Sequence, residues 1–357
     1  MAHSTPENAT PTVDSSITAG DTLKDTSVMA TSPDAPDSVL EPSIDSRETP
    51  LVDITSETPD ALSNVVSIAS STSSSEKTAP KADREPGEGR VIVVTSGKGG
   101  VGKTTASANV GTGLARLGYS VVLVDTDIGL RNLDILMGLE NRIVYNLIDV
   151  IEGRCKLNQA MVKDKRMPNL SLLAAAQTRD KSALDEEKMQ DLIGQLRKKV
   201  DFIIIDSPAG IEQGFQNAVT AADEAIVVVN PEMSSIRDAD RIIGLLETRE
   251  NVKHYKLIIN RMRPAMVRSH DMMDIDDVLE ILSIKLLGVV PEDPSIIVST
   301  NRGEPIVLDE QSVAGQAYRN IARRVAGEDV PFLNLEEPQG IFERIKNLFR
   351  SSKVSAF

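Results

Sequence analysis

VIVVTSGKGGVGKTT, residues 91–105, joins a short β-branched run to a loop in which four of ten positions are glycine. The run VIVVT is apolar throughout and reads as a strand buried on both faces. The loop satisfies G-x-x-x-x-G-K-[ST] from Gly97 to Thr104. Small residues there let successive backbone N–H groups converge on phosphate oxygens, and the helix that follows aims its positive end at them. In that pattern Gly97, Lys98, Gly99, Gly100, Val101, Gly102, Lys103, Thr104 and Thr105 form the cradle. Lys103 reaches the β- and γ-phosphates, and the Thr104 hydroxyl holds Mg²⁺. The ligand expected is therefore ATP with Mg²⁺.

Similar apolar runs recur at 121–126 (VVLVDT), 170–175, 202–206 (FIIID), 225–230, 256–260 (KLIIN) and 285–290. Stretches long enough for helices separate them, such as 104–118. Strands apolar on both faces that alternate with helices predict a doubly wound α/β domain with a mostly parallel sheet. The expected limits are residues 89–332. Two acidic positions, Asp125 and Asp127, lie at the C-terminal end of the second strand and one ends FIIID, on the edge where open α/β sheets bind ligands. Asp127 is the candidate for orienting the attacking water, Asp125 for the Mg²⁺ shell and Asp206 for the acid that ends the metal-coordinating strand. The reaction expected is phosphoryl transfer from ATP to water, by positioning and charge neutralisation.

The flanks differ in kind. Residues 1–88 hold 16 Asp/Glu against 5 Lys/Arg, 28 Ser/Thr and no aromatic residue, which leaves -3 of the net charge of -14 for the rest. So polar a segment buries too little apolar surface to offset its ordering entropy, and is expected to be a disordered tail. It lacks the basic start and apolar core of a secretory signal and has the wrong charge for a transit peptide. No apolar run approaches the ~20 residues of a transmembrane helix. The single cysteine, Cys155, leaves no intramolecular disulfide and suits a reducing cytoplasm. After a linker at 333–339 comes GIFERIKNLFRSSKVSAF, residues 340–357. Ile341, Phe342, Ile345, Leu348 and Phe349 fall on one helical stripe, flanked or opposed by Arg344, Lys346, Arg350 and Lys353. A short cationic helix of this kind suits an anionic membrane surface.

KGGVGKTT, with its second lysine at Lys98, is similar to the deviant phosphate loop of the MinD/ParA family of ATPases. IGLRNLDILMGLE (128–140), DSPAGIE (206–212), ADEAIVVVNPEMSSIRDADRI (222–242) and DVLEILSIKLLGVVPED (277–293) resemble the division-site branch of that family. The resemblance spans roughly residues 90–357 and implies an ATP-dependent homodimer in which Lys98 reaches the partner's phosphates. It further implies an adenine pocket of Asn260, Arg261, Pro291, Glu292 and Asp293. The partners it implies are the division inhibitor MinC and the stimulator MinE, met on the dimer. A cytoplasmic protein on the inner face of the cell membrane follows. Arg237, Asp238 and Asp240 are either that contact or intrahelical charge pairs.

Rival readings are a ParA-type DNA-partitioning ATPase and a nucleotide-dependent scaffold that does not hydrolyse. The acidic balance argues against non-specific DNA binding, so no specific nucleic acid is expected. Intact Lys98, Lys103, Thr104, Asp127 and Asp206 argue against the scaffold. An iron–sulfur carrier of the same fold would need several cysteines.

Overall fold

The computed structural model describes residues 89–177 and 183–335. The acidic tail at 1–88, the linker from 336 to 339, and the segment 340–357 with Ile341, Phe342, Arg344, Ile345, Lys346, Leu348, Phe349 and Arg350 lie outside the described residues.

Among the described residues, eight strands form one sheet. They are β1 (Arg90–Thr95), β2 (Val121–Asp125), β3 (Met161–Lys163), β4 (Leu170–Leu173), β5 (Phe202–Asp206), β6 (Glu224–Val229), β7 (His254–Met262) and β8 (Lys285–Pro291). Their order is β3-β4-β2-β5-β1-β6-β7-β8. All neighbours are parallel except β3 on β4. The order turns at β1, whose neighbours β5 and β6 lead to opposite halves of the sheet. A crevice opens at the carboxyl ends of the strands at such a point.

Alternation along the strands assigns the two faces. Val91, Val93, Val122, Val124, Ile203 and Ile205 face one core. It is covered by α5 (Glu186–Arg197), α6 (Gln213–Thr220) and α7 (Met233–Glu247). Ile92, Val94, Val121, Leu123 and Ile204 face the other, under α1 (Lys103–Arg116) and α11 (Val313–Val325). The remaining helices are short: α2 (Leu133–Met137), α3 (Leu147–Ile151), α4 (Leu157–Ala160), α8 (Pro264–Arg268), α9 (Ile275–Leu282) and α10 (Ser295–Asn301). The period of two along a fully buried strand is what a sheet covered on both sides demands.

Differences from the sequence reading are local. The 170–175 run stops as a strand at Leu173, because the carbonyls of Ala174 and Ala176 accept from Leu147 (2.9 Å) and Gly129 (2.9 Å) instead. β2 ends one residue early, where the Thr126 hydroxyl and N–H both turn to the Asp206 carbonyl. The three-residue β3 is too short to carry a periodic signal. Leu333 and Leu335, placed by sequence in the linker, pack against the two cores. Arg324 ties down that stretch: it donates to the carbonyls of Val330 (2.9 Å), Pro331 (2.8 Å) and, in β8, Leu287 (2.9 Å). Its guanidinium stacks 4.2 Å from the Phe332 ring centroid.

The α11 residue Tyr318 is fully buried and its hydroxyl has no hydrogen-bond partner among the described residues. An unpaired buried hydroxyl carries a desolvation cost that its removal relieves. Tyr318→Phe is expected to leave stability unchanged or to raise it by up to ~1 kcal/mol. Denaturant titration of both proteins checks this, and a loss of stability would mean that the hydroxyl has a partner.

Candidate functional site

At the carboxyl end of β1 the chain turns through Ser96–Gly102 into α1. Two glycines there have identifiable reasons. A Cβ on Gly97 would lie 2.3 Å from the backbone carbonyl of Asp238, so α7 packs directly on the loop. Gly102 has φ +98°, and a Cβ there would meet Asn260 Nδ2 at 2.2 Å. A Cβ on Gly99 or Gly100 would instead meet open space, on the side where the cradle opens. No side chain caps α1 and its first turn holds no acid, so its N–H groups remain for an anion.

Lys103 opens α1 with its side chain only 9% exposed, and Nζ lies 3.8 Å from Asp206 Oδ1. The Ser107 hydroxyl, one helical turn on, sits 2.9 Å from that same oxygen and 3.1 Å from the Lys103 carbonyl. Thr104 also hydrogen-bonds Asp206 through its side chain. Thr105 is half-buried, and its carbonyl accepts from Asn109. Register delivers the acids: Asp206 of β5 stands opposite both Val94 of β1 and Asp125 of β2.

Asp125 is buried and accepts from the backbone N–H groups of Asp127 (2.9 Å) and Leu133 (3.3 Å). Burial first, and the charge of Asp206 second, push its carboxyl up to about 8. Burial also raises Asp206, opposed by Lys103, Thr104 and Ser107. Because Asp206 has those donors and Asp125 has only backbone amides, the proton the pair retains resides on Asp125. A divalent cation beside the pair would displace it. Asp127 is half-buried at the mouth of the site, near enough to raise both other acids.

Lys98 is exposed, with Nζ 3.2 Å from the Ser234 hydroxyl and 3.9 Å from Glu232, at the start of α7. Of the residues expected to line a base pocket, Asn260 is buried, donates to the Val101 carbonyl at 2.7 Å and leaves Oδ1 without a hydrogen-bond partner among the described residues. Arg261, with φ +55°, lines a depression with Asn230, Glu232 and Met233. Pro291, Glu292 and Asp293 line a neighbouring one with Ser295 and Ser312. The Glu292 N–H donates to the Met262 carbonyl at 2.9 Å. Both acidic side chains of that loop are engaged: Glu292 with Arg263, and Asp293 with Ser295 and Ser312. Neither carboxylate is therefore without a partner.

Ser107, Ser234 and Asn230 are site residues that the sequence reading did not single out. Ser107 alone left a signal, a hydroxyl four residues after the motif lysine and so on its face of the helix. Among the described residues no cluster of three or more His, Cys, Asp or Glu could hold a metal. The open glycine loop, the buried Lys103 and the unpaired Asn260 acceptor together fit a nucleoside triphosphate.

On the α7 face expected to meet partners, Arg237 and Asp240 are exposed. Asp238 is half-buried, lies 3.8 Å from Arg241 and supplies the carbonyl pressed against Gly97.

Known proteins share this geometry. The family described as AAA domain matches residues 89–259. The septum site-determining protein MinD of Bacillus subtilis is 57% identical over 263 residues, 73% of this chain and 98% of its own. MinD in the MinC:MinD cell division complex of Aquifex aeolicus superposes with a TM-score of 0.64 at 52% identity, covering 69% of this chain and 98% of that one. Pyrococcus horikoshii MinD, solved with Mg-ADP, gives a TM-score of 0.60 at 32% identity, over 66% and 95% of the two chains.

The raised Asp125 sets a pH dependence. The folded chain holds a proton there that the unfolded chain releases, so stability falls as pH rises between about 4 and about 8. In metal-free buffer, Asp125→Asn should flatten the decline of Tm across that window. Calorimetry of both proteins tests it; parallel pH profiles would place the proton elsewhere.

Proposed function

From the premise that this chain belongs to the MinD family of septum site-determining ATPases, we propose a residue-level account of its cycle and its partners. The protein hydrolyses ATP with Mg²⁺ and acts in placing the division septum. The partitioning alternative gives way to this family membership. The observation that carries the residue assignments is the group of Lys103, Thr104, Ser107 and Asp206 at the head of α1, beside an open glycine loop.

In this reading the amides of Gly99 to Thr105 and the end of α1 hold the phosphates, with Lys103 on the β- and γ-groups. Thr104, Asp206 and Asp125 would hold Mg²⁺, which would supply neutralisation of the charge developing on the phosphoryl oxygens. Asp127, at the mouth, orients the water. Asn260 Oδ1 accepts from the adenine amine, with Arg261 and the backbone of Pro291, Glu292 and Asp293 beside it.

Lys98 acts in a homodimer formed on ATP, reaching the phosphates of the second subunit. Support comes from its exposed ammonium on Ser234 at the start of α7, and from the exposure of apolar Leu130, Ile211 and Met233. The exposed face of α7 recruits MinC, and MinE acts there to stimulate hydrolysis. The segment 340–357 binds anionic lipid on the cytoplasmic face of the membrane. One short helix binds marginally, and two on a dimer gain avidity without new contacts.

Lys98→Ala should retain ATP binding but lose ATP-dependent dimerisation. Asp127→Ala should retain the dimer and lose about 100-fold in turnover. Light scattering with phosphate release separates the two, and a monomeric Asp127→Ala would remove its assignment to the water. On anionic vesicles, the full chain should sediment with ATP and much less with ADP, whereas a chain ending at Gln339 should stay in solution. Sedimentation indifferent to nucleotide would remove the switch.

A further inference from the structure

A shallow groove lies where the described chain ends. Met262, Val267, Ile275, Leu333 and Leu335 give it apolar walls, with Pro264 between them. Its polar rim is Asp274 and Asp276 at the start of α9, with Asn334 and one cation, Arg268. Leu335 is thus itself part of the wall, and Arg324 holds the preceding residues in place through Val330, Pro331 and Phe332.

We propose that this groove holds the chain's own terminal segment, residues 340–357, whenever that segment is off the membrane. The inference rests on the reading of 340–357 as the lipid-binding element. Three observations favour this occupant. The first is reach: Gly340 follows Leu335 by five residues, a span of up to about 17 Å, so the segment starts beside the groove. The second is charge. Residues 271–280 carry five acids (Asp271, Asp274, Asp276, Asp277 and Glu280) and no base, whereas 340–357 carries Arg344, Lys346, Arg350 and Lys353 against Glu343 alone. The third is apolar complementarity. The stripe of Ile341, Phe342, Ile345, Leu348 and Phe349 presents anchors at helical spacing, the form in which a helix fills a groove.

Tethering strengthens a weak contact, since a short linker gives an effective concentration on the order of millimolar. The same stripe cannot face lipid and groove at once. Docking therefore lowers the fraction of chains competent for the membrane, and apparent lipid affinity falls by that fraction. Partition of the segment between groove and bilayer sets a threshold that the avidity of a dimer overcomes.

Asp276 is exposed, and the α9 capping box is made by Asp274 and Asp277, so Asp276→Arg should fold normally. The test uses the full chain with ADP and vesicles of mixed phosphatidylcholine and phosphatidylglycerol. Asp276→Arg should raise vesicle binding severalfold, about tenfold if nine-tenths of the wild-type segments are docked. Its ATP turnover without vesicles should match wild type. Adding Phe342→Glu and Phe349→Glu should abolish the gain, whereas a direct attraction between the introduced charge and anionic lipid would preserve it and overturn the proposal. In vesicle-free protein, carbodiimide should couple Lys346 or Lys353 to acids within 271–280, read by mass spectrometry. Where wild type binds vesicles measurably, unchanged binding by Asp276→Arg overturns the proposal, as do cross-links found only to acids of residues 1–88. Cross-links at 271–280 without vesicle binding by any variant would keep the groove and remove the membrane reading.

Discussion

An ammonium group withdrawn from water needs an anion at hand, and the architecture of this domain is organised around supplying one to Lys103. Removing either charge alone would leave the other buried and unpaired, which costs several kcal/mol. The anion, Asp206, arrives from a strand about a hundred residues away in sequence, so β5 must lie beside β1 in a register that ends both together. That single requirement places β1 at the turning point of the strand order and sets the crevice above it. Ser107 and Thr104 then complete the carboxylate's hydrogen bonds from the same helix that carries the lysine. The pair is poised for phosphate: an arriving anion competes with Asp206 for Lys103, in a place where water screens little.

Much of this is legible in the sequence because it is written in local pattern. Fully apolar five-residue runs, a glycine loop and an Asp closing FIIID specify the strands, the turn and the acid without long-range information. What escapes depends on geometry across the fold. Ser107 acquires meaning only when β5 stands opposite α1. The split of the base residues between two adjoining depressions follows from the paths of β7 and β8 after they leave the sheet. Glu292 and Asp293 are expected in the base pocket, yet Arg263, Ser295 and Ser312 occupy their carboxylates. A strand-like alternation would give Asp125 and Asp127 one orientation, but the strand stops at Asp125 and its carboxylate binds the backbone of the loop that follows.

The contact between Gly97 and the Asp238 carbonyl joins two regions that the sequence presents separately. With no side chain between them, the phosphate loop and α7 have no slack. A shift of the helix is transmitted to the loop that carries Lys98, whose ammonium already rests on Ser234 at the helix start. Arg237 and Asp240 are exposed on the same helix.

Both borders of the sheet are blunted. On one side β3 offers three residues; on the other, Arg324 occupies a β8 carbonyl and holds the 330–335 stretch nearby. Unprotected borders recruit further strands, and the hazard grows with local concentration. Here the sheet can be concentrated many-fold without templating a fibre, so assembly is left to surfaces that dissociate.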